Sequence, residues 1–315
     1  MNTTEPSISV VLCTYNPRAV ALRRVLQALI EQTLAHSRWE LLLVDNASAP
    51  ALAERPEFHE LLQRLPARIL HEPKLGLTPA RLCGFAAARA ELLVLIDDDT
   101  VPQTDYLEQA LRVFEAHLEI GAAGGRIVGE FEREPPAWAR DVLGCLAVRE
   151  FGDRPIRALI HNELGPWEPC GAGMVLRSRV AAAYAIAARS PERQRLDRVG
   201  AALSSCGDSD LARTASDLGL YLAYEPALRL HHLIPAGRLR LSYLSRLMYS
   251  IQRDGWLLLR LRGDRRRMGT LAYGLRVLQS PVAALAIDPR RWLLRLAARL
   301  GQLKGRRLPV AVDGL

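Results

Sequence analysis

The 315-residue chain is poor in cysteine, with five, an odd number widely spaced and with no CxxC pair. A disulfide frame or a cysteine zinc site is therefore excluded as an organising device, and a reducing compartment fits. Met1 to Ser7 is polar, and the first apolar run, Ile8 to Cys13, is only of strand length, so no signal peptide is read there. Leu271 to Ile287 is the longest membrane-span candidate, but it holds Arg276 and Pro281 and is short for a span. After the first strand there is no G-x-G-x-x-G turn, which argues against a dinucleotide-binding dehydrogenase. The absence of G-x-x-x-x-G-K-S/T argues against a P-loop NTPase.

What is present is an alternation of buried strands and amphipathic helices. Ile8 to Thr14, Trp39 to Val44, Ala67 to His71 and Glu91 to Ile96 read as strands. Ala19 to Thr33, with Leu22, Leu26, Leu29 and Ile30 on one face, and Pro79 to Ala90 read as helices between them. The first hundred residues thus predict a parallel sheet covered on both faces. Beyond them a helix over Tyr106 to Leu118, a glycine-rich strand over Ala122 to Val128 and an irregular stretch from Arg133 to Leu164 are expected. Glu168 to Leu176 reads as a tight loop entering a strand, Leu211 to Leu218 as a helix and Leu220 to Tyr224 as a short strand. From Arg238 onward the chain predicts helix. The chain divides into a catalytic unit over residues 1–234, with halves 1–105 and 106–234, and a basic helical region over 235–315.

In open parallel sheets ligands sit at the carboxyl ends of the strands. Three strands here end in polar clusters: Thr14-Tyr15-Asn16, Asp45-Asn46 and Asp97-Asp98-Asp99. Adjacent carboxylates repel, and a divalent cation shared with substrate phosphates offsets that repulsion. The competing reading of the triplet is an acidic turn capping the helix near Pro102. Asp45 suits a base or ribose contact, or a plain turn. Arg81 suits a diphosphate, or is a surface helix arginine. Asp208 and Asp210 read either as N-caps of the next helix or as a base for an acceptor hydroxyl. His232 is a further neutral ligand near the carboxylates, or a structural histidine.

Together, Ser9-Val10-Val11-Leu12-Cys13-Thr14-Tyr15-Asn16-Pro17, Leu43-Val44-Asp45-Asn46-Ala47-Ser48, Gly76-Leu77-Thr78-Pro79-Ala80-Arg81, Leu95-Ile96-Asp97-Asp98-Asp99 and Gly207-Asp208-Ser209-Asp210-Leu211 resemble the family-2 inverting glycosyltransferases of the GT-A fold. His231-His232-Leu233-Ile234-Pro235 with Arg238-Leu239 and Tyr243-Leu244 is similar to a bacterial exopolysaccharide-type subgroup. The resemblance implies an α/β fold with a mostly parallel central sheet flanked by helices, plus a helical C-terminal tail. It implies a nucleotide-diphosphate sugar donor bound by Thr14, Tyr15, Asn16, Asp45, Arg81, Asp97 and Asp98. It implies Mn²⁺ or Mg²⁺ on Asp97, Asp99 and His232, and Asp208 as general base. A saccharide or lipid-linked saccharide acceptor would meet Trp167, Gly171, Gly173 and Asp210. Gly207 stands where the family has a glutamate, so that carboxylate is missing or moved to Asp210. Lys74 replaces an asparagine. The rival readings are a sugar-phosphate nucleotidyltransferase and a degenerate member acting as a partner subunit.

The charge of +8 is uneven: residues 235–315 hold 17 Arg and Lys against 4 Asp and Glu, about +13, leaving about −5 for the rest. Arg291, Arg295 and Arg299 share one helical stripe, and Leu244, Leu247, Met248 and Ile251 form another. The tail therefore predicts either peripheral contact with an anionic membrane on the cytoplasmic side or packing on the catalytic unit. No nucleic-acid motif accompanies the charge, so nucleic acid is not an expected partner.

Overall fold

A computed structural model describes residues 5–161, 165–199, 202–263 and 288–308; the span candidate 271–287 lies outside them. In chain order the first half holds β1 (Ile8–Thr14), α1 (Ala19–Ile30), β2 (Trp39–Asp45), α2 (His59–Gln63), β3 (Ala67–His71), α3 (Leu77–Ala87), β4 (Leu92–Asp97), β5 (Thr100–Pro102) and α4 (Tyr106–Ala116). There follow β6 (Ile120–Phe131), β7 (Ile156–Ala158), β8 (Val175–Arg177), α5 (Ser178–Ala187), α6 (Pro191–Gln194), α7 (Gly207–Asp217), β9 (Tyr221–Ile234), α8 (Leu241–Leu261) and α9 (Pro289–Arg307).

The sheet runs β3-β2-β1-β4-β8-β6-β9-β5, with β7 on β9. Alternate residues of β1 enter different cores. Val10 and Leu12 join Leu22, Leu26 and Leu29 of α1 and Phe114 of α4. Val11 joins Ala80 of α3, Val180 of α5 and Leu211 of α7. A strand buried on both faces must be apolar throughout, as this one is.

β1, β2, β3 and β4 are mutually parallel, as expected, and they end in step. Thr14 lies opposite Asp45, and Cys13 opposite Asp97. The second half is mixed: β6 and β9 pair parallel, while β8, β5 and β7 join antiparallel. β5 and β7 have three residues each, too few to show a period, so sequence patterning misses them, whereas β8 is the strand expected after Gly173. β9 has 14 residues where a short strand was expected, and His231 and His232 lie inside it. Pro226 and the slip between Gly124 and Arg126 on β6 break its pattern into two pieces. α1 stops at Ile30 because the Thr33 N–H turns away to the carbonyl of Thr104 at 2.8 Å.

The leucine stripe of the tail packs inward. Leu244 and Leu247 of α8 meet Trp138, Leu146, Ile234, Leu239 and Leu294. α9 crosses α8 closely because Gly301 has no side chain: a Cβ there would lie 2.1 Å from the Tyr249 carbonyl oxygen. Beyond α8, Arg262 ties the chain back to α7 through Asp210 and Asp217. Among the described residues no helix is long and apolar enough to cross a membrane.

Candidate active site at the carboxyl edge of the sheet

A cavity of about 300 Å³ opens where β1, β2 and β4 end. Its floor is the turn from Asp97 to Asp99. The three carboxylates of that turn face different partners. Asp98 accepts the Thr14 hydroxyl at 2.6 Å, across the β1–β4 register. Asp99 reaches Arg238 Nη2 at 3.0 Å and His232 Nε2 at 3.5 Å. The antiparallel β5–β9 pairing, with Thr100 opposite His232, delivers the imidazole there. Asp97 lies within electrostatic reach of Arg81, Asp99 and Asp208.

Burial pushes Asp97 up to about 6 against the pull of Arg81, with Asp99 adding to the push. Burial, then the neighbouring Asp99, pushes Asp98 up to about 7 despite the Thr14 hydrogen bond. Burial would also raise Asp99, but its contacts with His232 and Arg238 hold it at about 2.

His232 Nδ1 donates to the Leu146 carbonyl at 2.9 Å. A guanidinium only donates, so the Arg238 Nη1 contact at 3.0 Å is a hydrogen bond when Nε2 carries no proton, the form in which His232 gives up its hydrogen bond to Asp99. An imidazole pinned through Nδ1–H with an Nε2 lone pair beside a carboxylate has the form of a metal ligand. Among the described residues no group of three or more His, Cys, Asp or Glu side chains is placed to hold an ion alone. Asp99 would give a hard oxygen donor to Mg²⁺ or Mn²⁺ and His232 a nitrogen donor, with phosphate oxygens and water left to complete the ion's coordination. Arg238 contacts both and occupies the same corner.

The opposite wall centres on Arg81, which is buried. Its Nη1 meets Asp208 Oδ1 at 2.5 Å and Asp197 Oδ2 at 3.8 Å. Asp208 is one-third exposed, on the first turn of α7. Burial would raise it, but the Arg81 charge, helped by the Gly171 N–H, holds it below the usual carboxylate range. Gly171 must be glycine for this approach: a Cβ would lie 2.1 Å from Arg81 Nη2 and 2.7 Å from Asp208 Oδ1.

Residues 9–180, more than half of the chain, match the Glycosyl transferase family 2 domain. The chain belongs to glycosyl transferase family 2. It is 33% identical over 110 residues to EpsH of Bacillus subtilis, covering 34% of this chain and 30% of that protein. It is 29% identical over 128 residues to glycosyltransferase AglE of Haloferax volcanii, covering 40% of this chain and 41% of that one. The chain spans less than half the length of these curated relatives. Among solved structures, S. aureus TarS 1-349 overlays with a TM-score of 0.48 at 12% identity, covering 95% of this chain and 90% of that chain. That likeness is too loose to bear on the site. The helix-flanked mixed sheet is the GT-A α/β arrangement of family 2.

Within this family 2 chain the cavity gathers Thr14, Tyr15, Arg81, Asp97, Asp98, Asp99, Asp208 and His232, as the sequence predicts. Several other expected residues lie elsewhere. Asp45 is buried, and its oxygens accept the Ser48 and Leu52 N–H groups at 3.1 and 2.7 Å, bracing its own loop. Asn16 accepts the Ala49 N–H of that loop at 2.9 Å. Asp210, expected on the acceptor side, is fully buried instead. Arg193 grips it at 2.7 and 2.9 Å and Arg262 at 2.9 Å, because α7 turns it to the side opposite Asp208. Trp167 packs against the α5–α7 core and does not line the cavity. Gly173 is a turn whose carbonyl accepts the Tyr106 hydroxyl. Sequence reasoning missed Asp197, Arg198, Arg238 as a contact of the acidic turn, and the α8 residues Tyr243 and Leu247. Only Arg238 and Tyr243 carried a signal, through the segment after His232.

Because the Asp98 pKa is raised, the folded chain keeps a proton that the unfolded chain loses near pH 4. This contribution to stability is full below about pH 4 and is lost as pH rises toward 7. Asp98→Asn should therefore raise the metal-free melting temperature at pH 8 by several degrees and by much less at pH 4.5. An equal shift at both pH values in thermal unfolding contradicts this assignment.

Proposed function

We propose that this family 2 chain is a metal-dependent inverting glycosyltransferase using a nucleotide-diphosphate sugar. The observation that carries the reading is the placement of Asp208, one-third exposed, across one cavity from the Asp97–Asp99 turn. The exposed Tyr15 at the end of β1 supports a base-binding rim. Mn²⁺ or Mg²⁺ would be held by Asp99 and His232, with Asp97 nearby. Bound there, it would supply Lewis-acid stabilisation of the leaving diphosphate. Arg238, already in that corner, offers donors to phosphate oxygens.

Asp208 takes the proton of the acceptor hydroxyl as that oxygen attacks the anomeric carbon. The bond from that carbon to the diphosphate oxygen breaks on the opposite face, so the configuration inverts. The acceptor in this reading is a saccharide or lipid-linked saccharide, and the product belongs to surface-polysaccharide synthesis. Family membership favours this over a sugar-phosphate nucleotidyltransferase. Metal-dependent hydrolysis of a nucleotide sugar separates it from a degenerate partner subunit.

A melting-temperature screen of nucleotide sugars with Mn²⁺ identifies the donor. With that donor, Asp208→Asn should keep the ligand-induced shift and lower transfer by about 10²–10⁴-fold. Unimpaired transfer sinks the assignment.

The tail supports attachment to an anionic membrane surface on its cytoplasmic face. On α9, Leu293 and Leu300 are exposed on one side of the helix, with the exposed Arg290 and Lys304 one turn before and one turn after them. The chain should co-sediment with phosphatidylglycerol vesicles at low salt and release as salt rises. No association at low salt contradicts this attachment.

A further inference from the structure

A general base gripped by a guanidinium is a weak base, because the ion pair favours the ionised carboxylate. Asp208 faces that difficulty: its Oδ1 is 2.5 Å from Arg81 Nη1. The same guanidinium has a second carboxylate beside it. Asp197 Oδ2 lies 3.8 Å away and also accepts the Thr78 hydroxyl at 2.9 Å. Asp197 Oδ1 accepts the Arg198 N–H at 2.8 Å. The carboxylate is thus anchored from two directions, is 6% exposed, and lines the cavity without contact to the acidic turn.

The space it fills belongs to residue 207. A Cβ on Gly207 would lie 2.9 Å from Asp197 Cγ, 3.0 Å from Oδ2 and 3.1 Å from Cβ. The Gly207 N–H donates to the Leu196 carbonyl at 3.1 Å, so the two backbones are tied together at that point. A side chain at 207 would therefore push the Asp197 carboxyl aside by a few tenths of an ångström. The glutamate that the resemblance leads one to expect at 207 is absent, and a carboxylate from the segment after α6 stands in its place.

We propose that Asp197 is a positioning residue that divides the Arg81 guanidinium with Asp208, leaving Asp208 basic enough to accept a proton, and that Gly207 is glycine to admit it. This rests on the reading of Asp208 as the base. Asp197 touches no reacting atom in this scheme; it acts through Arg81. Other charges facing Asp208 are Arg198, which lowers its pKa, and Asp97 by way of Arg81. Both remain when Asp197 is changed.

The test needs no substrate. The Asp208 carboxyl is titrated by ¹³C NMR in metal-free full-length chain, for wild type, Asp197→Asn and Gly207→Ala. Asn removes the charge and keeps one acceptor oxygen for the Thr78 hydroxyl or the Arg198 N–H; Ala at 207 crowds the Asp197 carboxyl and leaves its charge intact. In Asp197→Asn the Asp208 midpoint should move down, because its competitor for Arg81 is gone, and in Gly207→Ala it should move the same way by less, because the competitor is pushed aside. With the donor found in the melting screen, kcat should fall about tenfold while the donor KM holds. An unmoved or raised Asp208 midpoint in Asp197→Asn overturns the proposal. If Gly207→Ala fails to fold, Asp197→Asn alone decides. A downward move in a chain whose wild type transfers no sugar keeps the sharing of Arg81 and removes the base role of Asp208, so the two failures are distinguishable.

Discussion

A guanidinium taken out of water must find carboxylates, and Arg81, 3% exposed, finds Asp208 at 2.5 Å and Asp197 at 3.8 Å, with Asp97 in electrostatic range. One cation among three anions leaves the centre of the cavity short of positive charge. Burial raises Asp97 to about 6 and Asp98 to about 7, and the neighbouring Asp99 adds to both. Arg238 offsets part of the deficit at Asp99. The remaining deficit is what the divalent ion of the proposed reaction would offset.

This centre exists because separate elements arrive in register. The in-step ends of β1, β2 and β4 set Thr14 beside Asp98. The antiparallel return of β5 along β9 sets His232 beside Asp99. α3 carries Arg81 under the loop at Gly171, and the first turn of α7 carries Asp208 onto it. α8 then closes the side with Tyr243 and Leu247, and its Asp254 holds the Ser205 N–H at 2.9 Å in the loop above. The tail is therefore part of the cavity wall as well as a basic surface.

Much of this was legible in the sequence. The apolar runs of β1, β2 and β4 and their polar ends placed the ligand edge, since a strand buried on both faces can be polar only where it stops. Other parts were not. The Arg81–Asp208 pair joins residues 127 positions apart, and no local pattern records it. Asp197 sits in Leu196-Asp197-Arg198, a segment without period or motif. Asp210 reads like Asp208 in the sequence, yet the turn of the helix sends one to the cavity and the other to Arg193 and Arg262. Asp45 reads as a ligand contact, and the structure shows it buried, with each oxygen accepting an N–H of its own loop. The length of β9 was hidden by Pro226 and the slip opposite Gly124.

The claim that Arg81 and Asp208 act as one unit is open to a double-mutant cycle on stability, using Arg81→Met, Asp208→Asn and the pair in metal-free chain. A coupling of roughly 1–3 kcal/mol is predicted, because each single change breaks the Arg81–Asp208 pair and the double variant loses that pair only once. Additivity within about 0.5 kcal/mol would contradict the account.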